Sequence, residues 1–549
     1  MSKDPKFLLV NLPPWAQENP HIGVGYICSY LRKKGLSPKV LDLNKSFFIS
    51  SPDFRMLWHV ENKSFWSNKD TFPLIVDVFS QELERAVEET VGFDPDIIGF
   101  SVVDPKERLT IELIKRIKKR MPGVKIVLGG PATSTEEQRK IFLDNVAESI
   151  DVFVLGEGEQ ACFEVVSNIS EGKKLENIAG TLVQNNGEWV SSSSKPVEPL
   201  DEVSFPSYEE FDMSLYGKSL LVEWSRGCYS RCSFCKNWRL FPCYRAKSPG
   251  WVLEELLHHN QVYGIEEFTV VDSVLNGSPK DLYEICSLII ENNLRIIWSG
   301  QIAPRKDMDY EFFLQMRRAG CHKLQIGVES ASNRVLKNMR KSYTSEMSEY
   351  AIRNAKRAGI ETELFIIIGF PGESEREFRK TYNFVKRNRS YIDTLKSINT
   401  LHLIAGTEVY EKSSEKFNME PLPEENWHYL WKTRDGNAYP VRKKRTERLL
   451  DLAADLGIKV MEANIHEGKE NILDFIRNKE NAEESISFLK NSINNLQKLP
   501  QKRRTVVRRR SLFKWLLLGF IWGYTFFYII YFWCFMILRK RILLGGRRK

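Results

Sequence analysis

Short apolar runs punctuate the first 195 residues: KFLLVN (6–11), SPKVLD (37–42), DIIGFSVV (96–103), VKIVLGG (124–130) and DVFVLGEG (151–158). Each reads as a buried strand, and the stretches between them, such as YICSYLRKKG and TIELIKRIKKRM, read as amphipathic helices. Buried strands alternating with helices predict a parallel, doubly wound (flavodoxin-like) sheet over residues 1–195. Ligands of such sheets bind beyond the carboxyl ends of the strands. Small residues stand at those ends: Ser101, Gly129, Gly130 and Gly156. The stretch from Phe47 to Thr71 is aromatic and irregular, with Trp58 and Trp66, and either covers a bound ligand or closes a core. Residues 196–213 end a Ser-, Pro- and acid-rich stretch and read as a linker.

A second series starts with SLLVEWS (219–225) and continues with EEFTVVD (266–272), LRIIWSG (294–300), KLQIGVES (323–330), ETELFIIIGF (361–370) and LKSINTLHLI (395–404). Helical patterns separate these runs. Six such repeats over residues 214–410 predict a partial or full parallel (β/α)6 barrel, whose chemistry belongs at the carboxyl ends of its strands. Residues 411–500 are charged and patterned as a helical extension.

Length and composition fit this picture. A chain of 549 residues with 42% hydrophobic and 28% charged positions is a folded protein of two or three domains. The net charge of +9 is misleading, because the last 49 residues hold 13 Lys and Arg and no acid, leaving 67 basic against 71 acidic residues elsewhere. The body therefore has no electrostatic footprint for nucleic acid. Within the basic tail (501–549), Trp515–Leu538 carries no charge over 24 residues and is rich in Trp and Tyr. It is long enough to cross a bilayer, and its basic flanks suit anionic headgroups. A single span places six basic residues on the far side, against the positive-inside tendency, so a re-entrant anchor stays open. With no signal peptide at the amino end, the expected arrangement is a cytoplasmic body held to the membrane by a C-terminal helix.

Three of the nine cysteines crowd into WSRGCYSRCSFCKNW: Cys228, Cys232 and Cys235, spaced CxxxCxxC just after the first strand of the second series. Structural zinc wants four ligands. No second cysteine pair exists, His258 and His259 fall on a predicted helix, and His21 is in the other domain. Three soft thiolates without a fourth suit an iron–sulfur cluster with one iron left free for a substrate.

CYSRCSFC resembles the cluster motif of the radical S-adenosylmethionine (SAM) superfamily, including Phe234 before the last cysteine. YGIEEFTVVDS is similar to the segment that receives the methionine amino group, with the usual Gly-Gly-Glu reduced to Gly264-Ile265-Glu266. QIGVES resembles the motif whose acid, Glu329, faces the ribose, and GFPGES resembles the turn near the adenine, with Gly369; Ser299 joins this SAM set. The resemblance implies a 4Fe–4S cluster on Cys228, Cys232 and Cys235, SAM bound at the free iron, a deoxyadenosyl radical that takes hydrogen from an unactivated carbon, and an external one-electron donor of the flavodoxin or ferredoxin type. The preceding domain resembles the cobalamin-binding domain of class B radical enzymes, through PHIGVGYICSYLRKKGLSPKVLDLN, PDIIGFSV, KIVLGGPATS and FVLGEGE. That implies cobalamin near Gly23, Ser101, Gly129, Gly130, Gly156 and Glu157. The DxHxxG signature is absent, which implies cobalamin without histidine ligation.

The expected function is methyl transfer from cobalamin to an unactivated carbon; no catalytic side chain is singled out. The tail points to a hydrophobic or membrane-associated substrate, a lipid or isoprenoid. The alternatives are radical ring closure, carbon–carbon coupling or oxidation of a lipid or tetrapyrrole with the same cofactors, and, in another class, a membrane-tethered redox or cobalamin sensor. Methylthiotransfer is disfavoured, because Cys28 and Cys162 alone cannot hold a second cluster.

Overall fold

The computed structural model describes residues 5–59, 62–69, 71–421 and 430–464. Seven strands form the first sheet: β1 (Phe7–Asn11), β2 (Lys39–Asp42), β3 (Ile97–Ser101), β4 (Lys125–Gly129), β5 (Val152–Val154), β6 (Thr181–Asn185) and β7 (Glu188–Ser191). Their order is β2-β1-β3-β4-β5-β6-β7, parallel through β5. The strand order reverses between β1 and β3, the switch point where flavodoxin-like sheets open a ligand crevice. Side chains alternate across β1: Phe7 and Leu9 enter one buried cluster, Leu8 and Val10 another.

Strands β6 and β7 form an antiparallel hairpin that the strand-and-linker reading of 151–213 does not contain. Its two-residue turn, Asn186 and Gly187, has positive φ at both positions (50° and 87°), as a primed hairpin turn requires. The stretch 196–213 is packed rather than loose, burying Leu200, Val203, Tyr208 and Phe211. Gly25 fits beneath it, where a Cβ would stand 3.0 Å from Tyr208 and 3.1 Å from Pro206.

Of the two readings for Phe47–Thr71, the structure supports core closure. Trp66 is fully buried and stacks on Phe79 (5.4 Å, 18°), with Trp58 edge-on to both. Each indole N–H is satisfied, Trp58 by Asn44 at 2.7 Å and Trp66 by the Leu57 carbonyl at 2.9 Å.

The second sheet contains β8 (Ser219–Val222), β11 (Glu267–Val270), β12 (Ile297–Ile302), β13 (Cys321–Glu329), β14 (Glu361–Ile368), β15 (Thr394–Thr400) and β16 (Lys459–Asn464), all parallel and in that spatial order. Between β8 and β11 a short antiparallel pair, β9 (Ser225–Arg226) and β10 (Arg245–Ala246), flanks the cysteine segment. Among the described residues the sheet ends at β8 and β16, so the barrel they form is open. Strand β16 corrects the helical reading of residues 459–464. Helix Tyr439–Asp455 stops at Gly457, whose φ is +67°, and the chain then pairs with β15 from Thr394↔Lys459 to Asn399↔Asn464. A continuous buried cluster runs from Phe7, Leu9 and Val127 to Leu220, Phe268 and Leu324, joining the two sheets in one unit.

The tail and its helix 515–538 lie outside the described residues, as does most of the predicted extension 411–500 beyond residue 464. Among the described residues no helix is long and apolar enough to cross a membrane.

Candidate functional site

The cysteine segment leaves β9 at the carboxyl side of the barrel. Gly227 makes the turn with φ +84°, and a Cβ there would lie 2.2 Å from the Cys243 carbonyl oxygen. Cys228 and Cys235 are half-buried and Cys232 is buried. Backbone N–H groups donate to two of the sulfurs, Ser230 to Cys228 Sγ and Asn237 to Cys235 Sγ, each at 3.4 Å. Burial pushes the free Cys232 thiol up to about 11. Among the described residues no three His, Cys, Asp or Glu converge as one metal ion would require. The all-thiol donor set fits a cluster whose irons each take one thiolate.

Lys341 stands over this segment. Its Nζ lies 2.9 Å from Glu329 Oε1 and 5.1 Å from the centre of the Phe234 ring. Its charge also opposes the burial effect on Cys232 and Cys235. The predicted residues Phe234, Glu329, Cys232 and Cys235 are thus brought together around a lysine that no motif announced. Glu329 holds φ +60° where β13 ends in a bulge against β14; left-handed backbone in a non-glycine residue is uncommon and collects at functional sites.

Two other predicted residues are displaced. Gly264 caps helix Pro249–Tyr263, and Glu266 immediately precedes β11, so both stand at the amino end of that strand, away from the cysteine segment. The carboxyl end of β11 carries Val271, Asp272 and Ser273 instead. Asp272 is buried and accepts from Trp224 N–H (2.8 Å) and Ser225 Oγ (2.6 Å); Ser273 Oγ lies 3.3 Å from Asn237 Nδ2. Ser299 sits midway along β12, 3.4 Å from Thr269 Oγ1, on the face opposite the buried Trp298, Gly300 and Ile302. Gly369 follows β14 with φ +78°, and Arg442 fills its missing side chain, with a Cβ falling 2.2 Å from Arg442 Cγ and Cδ.

A cavity of about 310 Å³ opens at the carboxyl ends of β1, β3, β4 and β5. All six residues predicted from the first domain line it: Gly23, Ser101, Gly129, Gly130, Gly156 and Glu157. Gly130 is obligatory, having φ +104° and a Cβ position 2.5 Å from the Val102 carbonyl oxygen. Glu223 just past β8, Arg226 on β9 and Phe241 beyond the cysteine segment complete the wall. His21 spends Nδ1 on capping helix Ile22–Lys33 (from Val24 N–H, 3.3 Å) and stacks on Trp15. Three buried polar atoms of lining residues have no hydrogen-bond partner: Trp15 Nε1, His21 Nε2 and Glu159 Oε2. Orphaned donors and acceptors around an apolar hollow fit a large ligand fringed with amides, as cobalamin is.

Fold and site thus define a class: a flavodoxin-like binding domain whose ligand cavity is closed by an open barrel bearing a cysteine triplet. Comparison with known proteins agrees. Residues 222–385 match the radical SAM superfamily and residues 72–166 the B12 binding domain. An uncharacterized methyltransferase of Pyrococcus horikoshii is 31% identical over 302 residues, which cover 54% of this chain and 65% of the relative. The anaerobic magnesium-protoporphyrin IX monomethyl ester cyclase of Rubrivivax gelatinosus is 25% identical, over 57% of this chain and 58% of its own. The chain therefore spans less than two thirds of the length of either relative. The fold is shared with the radical SAM methyltransferase TsrM of Kitasatospora setae, solved with cobalamin and a 4Fe–4S cluster bound (TM-score 0.61, 18% identity, 86% of this chain and 99% of that one). The chain thus carries a radical SAM domain and a B12-binding domain, and the cofactors of those domains are a 4Fe–4S cluster, SAM and cobalamin.

Proposed function

We propose that the protein is a cobalamin-dependent methyltransferase acting on an unactivated carbon. The observation that carries this reading is the shared wall: Glu223, Arg226 and Phe241 border the first domain's cavity, and Arg226 lies two residues before Cys228. That wall brings the start of the cysteine segment up to the first domain's cavity, which supports a substrate carbon meeting both cofactors there. When bound, the cofactors supply hydrogen abstraction from carbon and a transferable methyl group. The chain's own residues would hold and orient these groups: Cys228, Cys232 and Cys235 would take the cluster, Glu329 and the Asp272–Ser273 end of β11 would receive SAM, and the glycine-lined loops would cradle the corrin. The names of the methyltransferase relatives support the reading.

The tether expected at 515–538 supports a hydrophobic or membrane-associated substrate, such as a lipid or isoprenoid, and an external one-electron donor completes the system. A second reading, ring closure without methyl transfer, is favoured by the cyclase relatives. Labelled SAM separates them. Methylation releases S-adenosylhomocysteine from the SAM that gives its methyl and 5′-deoxyadenosine from the SAM that takes the substrate's hydrogen. Anaerobically reconstituted protein with substrate-bearing membrane extract is expected to form both in equal amounts. Deoxyadenosine alone supports the cyclase-like reading, and neither product supports the sensor.

A further inference from the structure

Strand β9 enters the cysteine segment through Arg226. Its side chain is 5% exposed and meets three carboxylates from two directions. Nη1 lies 3.1 Å from Glu157 Oε2 and Nη2 2.6 Å from Glu159 Oε1, both on the loop and helix after β5; Nε lies 2.6 Å from Glu223 Oε1, just past β8. Arg245, directly opposite on β10, grips Glu157 from the other side. Every edge of one planar guanidinium is thus committed, two to the cobalamin-binding domain and one to the barrel. Lysine, a single point charge, cannot reproduce that fork.

Burying such a set contributes little net stability; its attested use is to fix register. Here the register is between two ligand sites. Glu157, Glu159 and Glu223 all line the cavity, and Arg226 is two residues from the first cluster ligand. The bridge is also unfinished. Burial alone would raise the Glu159 carboxyl, but the charge and hydrogen bond of Arg226 outweigh it and hold it below the usual range. Its Oε1 is taken by Arg226, while Oε2 is buried without a partner. A cavity ligand that donates to Oε2 acts on the carboxylate that holds Arg226.

Resting on the cofactor assignment above, we propose that Arg226 is a positioning residue that couples the corrin cavity to the cluster segment, so that cobalamin and SAM bind with mutual dependence. Linkage makes the effect reciprocal. The test uses the full chain, reconstituted anaerobically with its cluster oxidised so that no turnover occurs. Hydroxocobalamin affinity is titrated with and without saturating SAM, and SAM affinity with and without hydroxocobalamin. Wild-type protein is expected to show the same factor in both titrations, at least about 5-fold. Arg226→Lys and Arg226→Met are expected to cut it below about twofold while iron stays at about four per chain, since no cysteine is touched. Should neither variant fold, Glu159→Gln, which keeps the Glu157 and Glu223 arms, is expected to lower the factor, and an unchanged factor in it overturns the inference. Uptake of cobalamin with one affinity whether or not SAM is present, or wild-type coupling in the folded Arg226 variants, likewise overturns it. A wild-type chain that takes up no cobalamin overturns the functional reading as well.

Discussion

Gly227 is the residue on which the cluster segment turns. Its positive φ costs an alanine about 1–2 kcal/mol by itself, and the Cys243 carbonyl stands where a Cβ would go. Gly227→Ala is therefore expected to lower stability by at least about 2 kcal/mol and to reduce bound iron, measured by thermal melting and iron assay. Asp272 gives a pH signature. Burial raises its carboxyl to about 7. A carboxyl raised on folding contributes stability that is complete below its ordinary value near about 4 and lost as pH rises through about 7. The apo protein is expected to lose stability across that window, and Asp272→Asn to flatten the loss, read from denaturant midpoints. Glu266→Gln, at the other end of β11, is expected to leave SAM affinity within about twofold, whereas loss of a buried charged contact at the site would cost about tenfold or more. The cysteine spacing was legible because ligation by three thiols is a local pattern. The displacement of Gly264 and Glu266 was not, because it depends on where helix Pro249–Tyr263 stops and β11 begins, and one glycine cap decides that. Lys341 was illegible for another reason: its partnership with Glu329 is made by folding and leaves no spacing signal.

Among elements, the parallel strands β1 to β5 and β8 to β15 outside the β9–β10 pair were readable from their apolar runs, and the six glycine, serine and glutamate positions of the first domain line one cavity. Where the sequence misled, one short feature competed with a longer pattern. KVMEAN follows a strong helical stretch and reads as its continuation, yet Gly457 ends the helix and the open edge of β15 captures the segment. The hairpin of β6 and β7 hid beside a Ser-rich stretch, although Asn186-Gly187 carried its turn chemistry. The aromatic insert belongs to the core: Phe79→Ala is expected to cost roughly 3–5 kcal/mol while leaving hydroxocobalamin affinity of the folded protein unchanged, because neither Phe79 nor any described residue of the insert borders the cavity. Weakened corrin binding in folded protein would reassign the insert to the ligand.

For the whole molecule, the residues proposed to hold the cofactors all belong to one contact unit that ends at Ile465. Deleting residues 501–549 is therefore expected to leave iron and corrin content unchanged, and to abolish co-sedimentation with anionic vesicles if the uncharged stretch is the anchor. Vesicle binding that survives the deletion would remove the argument for a membrane-associated substrate. The central claim is that one chain holds two cofactors on two separate residue sets. Iron and corrin counts on anaerobically reconstituted protein test it most directly. About four irons and one corrin per chain are expected, with the Cys228, Cys232, Cys235 triple alanine variant losing the iron and keeping the corrin. Iron that survives loss of those cysteines, or a chain that takes up no corrin, would contradict the account.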